Sequence, residues 1–208
     1  MIRWAALGAL TLVAFTRYRA WHLRWGATPA EVDGSMPGED LLAGAPFIAT
    51  RAITVGAAPH RVWPWLVQVG FGRAGFYSHD WLDNLGRPSA TTILPQFQTV
   101  LPGDIAAPMT AHATPATAFT VAEVDAPRTL VWAKPDSTWA WRLTGDPSGG
   151  TRLVTRLKAR YEPAATLPVT VLLMEIADFS MMRRMLRGIA ARATQEQEET
   201  GPAPGEPP

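Results

Sequence analysis

The chain contains no cysteine. Disulfides, thiolate nucleophiles and cysteine zinc sites are excluded with it, and the redox compartment leaves no mark. Charge of one sign is lacking too: 19 Lys and Arg stand against 18 Asp and Glu, a formal net charge of +1. No strong field therefore points to nucleic acid or to a strongly acidic partner. Histidine is scarce, and His22, His60, His79 and His112 have no mutual spacing that makes a metal site. FGRAG at 71–75 lacks the Lys-Ser/Thr that completes a P-loop, and no nucleophile elbow occurs. Neither a metal nor a cofactor is expected. The longest apolar run reaches only about 13 residues before Arg17, whereas a bilayer span needs about 20.

That run lies in the N-terminal segment, 1–25, where Ala5, Ala6, Leu7, Ala9, Leu10, Leu12, Val13, Ala14 and Phe15 follow Arg3. Trp4, Tyr18, Trp21 and Trp25 flank it together with Arg17, Arg19 and Arg24, as interfacial aromatics and snorkelling arginines would. Three readings stay open: an uncleaved anchor, an interfacial or packed helix, and a signal peptide, the last without a small-x-small cleavage site after Phe15. The expected location is membrane-associated through this segment with the domain in the cytoplasm, or simply cytoplasmic. Residues 26–46, rich in Pro, Gly and Ala, read as a linker with a helical turn near 30–32. The tail, 195–208, has almost no apolar residues and reads as disordered.

Between these ends, 47–194 is long enough for one domain of roughly 150 residues with a single core. Residues 51–55 are a strand closed by Gly56 and Pro59; Val62, Trp63, Leu66 and Val67 then recur at helical spacing. Ser78 is a candidate N-cap for a short helix through Trp81, Leu82 and Leu85. Residues 87–103, with Pro88, Pro95 and Pro102, form a long covering loop of the kind that gates a site. Weak strand character at Ile105 precedes strands at 119–124 and 129–133. The clearest pair is 138–144, with Trp139, Trp141 and Leu143 on one face, and 151–161, with Leu153, Thr155, Leu157, Ala159 and Tyr161 on one face. GDPSGG joins them. The other face of the second strand bears Arg152, Arg156, Lys158 and Arg160 and reads as solvated, the alternative being a membrane-facing basic patch. After Pro168, Leu172, Leu173, Ile176, Phe179, Met182, Leu186 and Ile189 mark a long helix.

The words RAITVGAAPHRVWPWLVQVG, RAGFYSHDWLDNLG, TRLVTRLKARY and MMRRMLRGI, spanning residues 51–192, resemble the START-like, Bet v 1-like superfamily. Within it they look like the polyketide cyclase/dehydrase-type SRPBCC proteins. The resemblance implies an α+β helix-grip fold, a curved antiparallel sheet around a long C-terminal helix with a cavity between them. It does not bring an activity, because members similar in fold carry lipids, bind hormones or cyclise polyketides.

One dense polar group lies among aromatics: Arg73, Tyr77, His79, Asp80, Asp83 and Asn84. Asp80 and Asp83, three apart on a helix, are close enough to share a proton or to grip Arg73. A structural support for the loop and a ligand contact are both open readings. The candidate binding set is Arg73, Tyr77, Asp80, Trp81 and Asn84 at the rim with Trp139, Trp141 and Phe179 inside, and no catalytic residue is assigned. Met182 with Ile176 and Phe179 is expected to face the tryptophan strand across an apolar cavity. The expected function is non-catalytic binding or transport of a hydrophobic small molecule or lipid. The alternatives are a cyclase- or aromatase-like enzyme using Tyr77, His79 or Asp80, and a membrane-surface accessory protein with no ligand.

Overall fold

A computed structural model describes the backbone of residues 2–160 and 173–200 and the side chains of 10–160 and 174–195. Helix α1 (Ile2–His22) leads into residues 23–25, which run beside strand β1 (Phe47–Val55). Thr50 N donates to Leu23 O at 2.8 Å and Ala52 N to Trp25 O at 3.1 Å, so the middle of the outer edge of β1 is covered. Among the described residues no helix is long and apolar enough to cross a membrane. Arg17 and Arg19 lie within α1 itself.

After β1 come α3 (Pro59–Val67), α4 (Asp80–Asp83), β2 (Ile105–Ala106), β3 (Phe119–Asp125), β4 (Thr129–Lys134), β5 (Ser137–Gly145) and β6 (Thr151–Ala159). A π-helical turn, Leu173–Ala177, then feeds the long C-terminal helix α5 (Asp178–Thr200). The six strands form one curved, unclosed antiparallel sheet in the order β1-β6-β5-β4-β3-β2, and the architecture is the expected α+β helix grip. Strand β1 begins at Phe47 rather than Arg51, and α5 continues to Thr200 through residues expected to be disordered. Tyr161, Pro163, Pro168, Leu172 and the tail beyond 200 lie outside the described residues.

Register puts Leu153 opposite Leu143, Thr155 opposite Trp141 and Leu157 opposite Trp139, so the alternation read from sequence has its apolar phase inward. On that inner face Trp132, Trp141, Leu130 and Leu153 join Met182, Met185, Leu186 and Ile189 of α5, with Val62 and Leu66 of α3, in one core. Helix α5 passes against Tyr77 because Gly188 has no side chain: a Cβ there would come within 2.5 Å of Tyr77 O.

The outer face of the sheet corrects an expectation. Arg156 and Lys158 are buried, because residues 26–46 lie over them instead of hanging free. Thr28 and Glu31 form a reciprocal capping box at the start of α2 (Pro29–Asp33), and a 3-10 turn follows at Glu39–Leu42. Met36 plugs an apolar patch made by Ala52, Val131, Ala140 and Val154. Gly38, at φ 66°, is held so close that a Cβ would lie 2.6 Å from Val131 Cγ1. Arg152 clasps Glu31 at 2.7 and 2.8 Å, and Glu39 accepts from Arg156 and Lys158. The Arg152 hydrogen bond pulls the Glu31 carboxyl down to about 2.

Candidate ligand-binding site

The inner face carries two cross-strand rows. One runs Arg51, Thr155, Trp141, Leu130; the other runs Ala49, Leu157, Trp139, Trp132, Val121. Trp132, Trp139 and Trp141 form a triangle with ring centroids 5.1–5.6 Å apart, within the range of favourable aromatic contact. Trp139 Nε1 donates to Thr155 Oγ1 at 2.9 Å, and Thr155 donates to Ala140 O at 3.0 Å. The other two indoles differ. Trp132 Nε1 and Trp141 Nε1 are fully buried and have no acceptor among the described residues. Burying such a donor without a partner costs about 1–3 kcal/mol.

Arg51 occupies the apolar phase of β1 and is buried at one end of the row. Its Nε donates to His22 O at 2.9 Å and its Nη1 to Asp178 Oδ2 at 2.7 Å, while Nη2 has no partner among the described residues. Next to it His22 Nε2 lies 2.6 Å from Glu175 Oε2, and Arg19 Nε donates to Glu175 Oε1 at 2.8 Å. Burial holds His22 below its ordinary value against the pull of Glu175, and burial likewise holds the Asp178 carboxyl above its ordinary value against Arg51. Sequence reasoning missed this cluster. A charged residue in phase with Ile53 and Val55 was the available signal for Arg51; nothing local paired His22 with Glu175.

Phe179 belongs to this end of the molecule. Its ring meets Trp21 at 4.9 Å and lies 5.4 Å from the Arg51 guanidinium, facing α1 and not the tryptophan triangle. Ile176 is 54% exposed. Of Ile176, Phe179 and Met182, expected across from Trp139 and Trp141, only Met182 joins their core.

At the rim, the polar group does not converge. Arg73 grips neither Asp80 nor Asp83: Nη2 donates to Val67 O at 2.9 Å and Nη1 to Ile105 O at 3.3 Å, with the guanidinium 4.3 Å from the Phe97 ring centre. Burial pushes Arg73 below its ordinary value, with Asp104 opposing. Asp80 accepts from Ser89 N and Oγ at 3.1 and 2.5 Å. Tyr77, strained at φ 55°, is buried with its hydroxyl accepting from Gln68 Nε2 at 2.8 Å and Arg192 stacked 4.5 Å from its ring. Burial pushes that phenol up to about 12. His79 Nε2 lies 3.0 Å from Ser180 Oγ, and Trp81 is 73% exposed. Asn84 Nδ2 donates to Arg87 O at 2.7 Å. Burial raises the Asp83 carboxyl above its ordinary value, with Ser78 opposing. The covering loop is tied down: Gln68 Oε1 accepts from Leu94 N at 2.8 Å, and Arg192 Nε donates to Ala90 O at 2.8 Å.

A cavity of about 390 Å³ opens beside Phe71, Arg73 and Arg87, and a second of about 200 Å³ adjoins it across Ile105 and Ala113. Among the described residues no cluster of His, Asp and Glu could hold a metal ion.

No protein-family model matches the chain, and no curated protein is similar to it. Solved structures are similar at low identity. Protein Ms6760 from Mycobacterium smegmatis is 20% identical over 72% of this chain and 92% of that chain, with a TM-score of 0.44. SA2116 from Staphylococcus aureus, a protein of unknown function, is 9% identical over 73% and 96%, with a TM-score of 0.46. DynU16, a putative protein in the dynemicin biosynthetic locus, is 15% identical over 74% of this chain and 48% of that chain, with a TM-score of 0.38. None of these likenesses assigns a family, a ligand or a residue role to this chain.

Proposed function

We propose that the protein binds a hydrophobic small molecule or lipid, without catalysing a reaction, between the inner face of the sheet and α5. The helix-grip architecture agrees with the START-like resemblance, but one observation carries the reading: the buried Nε1 donors of Trp132 and Trp141, which have no acceptor among the described residues. A ligand with a carbonyl or hydroxyl oxygen would supply the missing acceptor and recover much of that cost. Arg51 Nη2 offers a third donor at the end of the Trp141 row. The enzymatic alternative draws no comparable support, since Tyr77, His79 and Asp80 are each engaged by a different partner and share no reacting position.

Helix α1 supports a second element of this reading. Leu10, Leu12, Val13 and Phe15 are all exposed, Leu10 by 67%, and Trp21 lies nearer the domain. A helix apolar on this many sides, with arginines and tryptophans at its base, suits a membrane interface. Ligand delivery to or from lipid would follow.

Native mass spectrometry of the purified full chain tests the interior for a co-purifying lipid. Tryptophan emission tests it with a panel of fatty acids, sterols and aromatic polyketide-like compounds. A saturable change that weakens in Trp141→Phe is expected. No response from any compound, together with a bare mass, refutes the reading.

A further inference from the structure

We propose that the cleft beside Arg73 and Arg87 is a second site, which takes the carboxylate of an amphiphilic organic acid. The apolar body of the acid lies over Ile105 toward the adjoining cavity. This site does not depend on the interior reading.

The larger cavity, about 390 Å³, is lined by Phe71, Arg73, Arg87, Ile105, Pro108 and Thr110 among others, and no carboxylate is among its lining residues. Arg73 and Arg87 thus line a common space without a counter-charge in its wall. Their roles differ. Arg73 is fixed by the carbonyls of Val67 and Ile105, and its nearest carboxylate influence, Asp104, accepts from Leu101 N at 2.8 Å. Arg87 makes no side-chain hydrogen bond or ion pair among the described residues and rests 5.5 Å from the Phe71 ring centre. Its donor fork is free, and a free fork matches a carboxylate bidentately. A phosphate dianion would have only this one free fork to meet a larger charge.

The remaining surface is apolar. Ile105 is 53% exposed, and the adjoining cavity of about 200 Å³ is walled by Ala113, Pro115, Ala118, Ala133 and Pro135, with Lys134 paired to Asp136. Phe71 N donates to Pro108 O at 2.7 Å, which holds the 70–75 turn against the 107–118 loop and keeps both walls in place. The cleft lies at the β2 edge of the sheet, across its full width from β1 and the base of α1. An acid in solution can therefore reach it whatever α1 is doing.

Titration of the isotopically labelled full chain with sodium octanoate, followed by amide NMR shifts, tests the assignment. Octanamide and octyl phosphate serve as comparison arms. Octanoate should shift Phe71, Gly72, Arg87 and Thr110 saturably, octanamide should not, and added salt should weaken the effect. Arg87 is exposed, so Arg87→Gln should keep the wild-type melting temperature while binding octanoate about tenfold more weakly. Equal shifts from octanamide, tighter binding of octyl phosphate, or an unchanged affinity in Arg87→Gln each overturn the carboxylate site. Shifts confined to the Trp132 and Trp141 indoles would do the same while leaving the interior reading intact.

Discussion

Replacing Arg156 by Ala should be among the most costly single changes on the outer face of the sheet. Arg156 is 5% exposed, and its guanidinium makes four hydrogen bonds: Nε to Thr50 Oγ1, Nη1 to Glu39 Oε2, and Nη2 to Glu31 O and Val32 O, all between 2.7 and 2.9 Å. Removing one partner of a buried ion pair costs about 3–5 kcal/mol, mostly because the groups left behind lose their compensation. Glu39 keeps Lys158 Nζ and Met36 N and is partly open to water, whereas the two carbonyls have no substitute. The lower end of the range, about 3 kcal/mol, is therefore expected. Arg128 provides the internal comparison, since its pair with Asp125 is exposed on both sides and screened by water, so its loss should cost far less. Urea unfolding followed by tryptophan emission measures both variants, and limited proteolysis should show new cleavage within residues 26–46 of Arg156→Ala only. If the two alanine variants lose the same stability within about 0.5 kcal/mol, the buried network is not holding the segment down and the argument fails.

Two further outcomes are expected. Gly188→Ala should destabilise by about 1–2 kcal/mol, because overpacking against Tyr77 outweighs the roughly 1 kcal/mol gained in helix propensity; an unchanged or raised melting temperature would mean that α5 can shift away. Because burial holds His22 below its unfolded value of 6.5, the unfolded chain binds the proton first, and stability should fall as pH drops through about 6.5. Glu175, Asp178, Arg51 and Tyr18 face the ring and stay in place in His22→Gln, which should lose less stability between pH 7.5 and 5.5 than the wild type; a wild type that is the less acid-sensitive of the two refutes the sign.

The hairpin of β5 and β6 was legible because a strand with one buried face must alternate, and Trp139, Trp141 and Leu143 announce that face within a few residues. Helix α5 was legible for the same reason, through Met182, Leu186 and Ile189. The rim failed where local proximity was made to stand for contact: Arg73 is near Asp80 in sequence, yet its fork is satisfied by carbonyls presented by two other segments. Phe179 and Trp81 failed through orientation, since one faces α1 and the other faces water.

By itself the sequence determined the properties that follow from short-range periodicity and from absence: strand and helix phase, a tryptophan-rich inner face, and no thiol chemistry. Only the tertiary structure decided which charges are buried. A row such as Arg152, Arg156 and Lys158 has the same pattern whether water covers it or Glu31 and Glu39, more than a hundred residues away, fold back onto it. The same holds for His22 and Glu175, and for the two indoles without an acceptor among the described residues. A hydrogen bond depends on where two chain segments meet to within a few tenths of an ångström, and that distance is set by the packing of the whole sheet against α5, not by any window of residues.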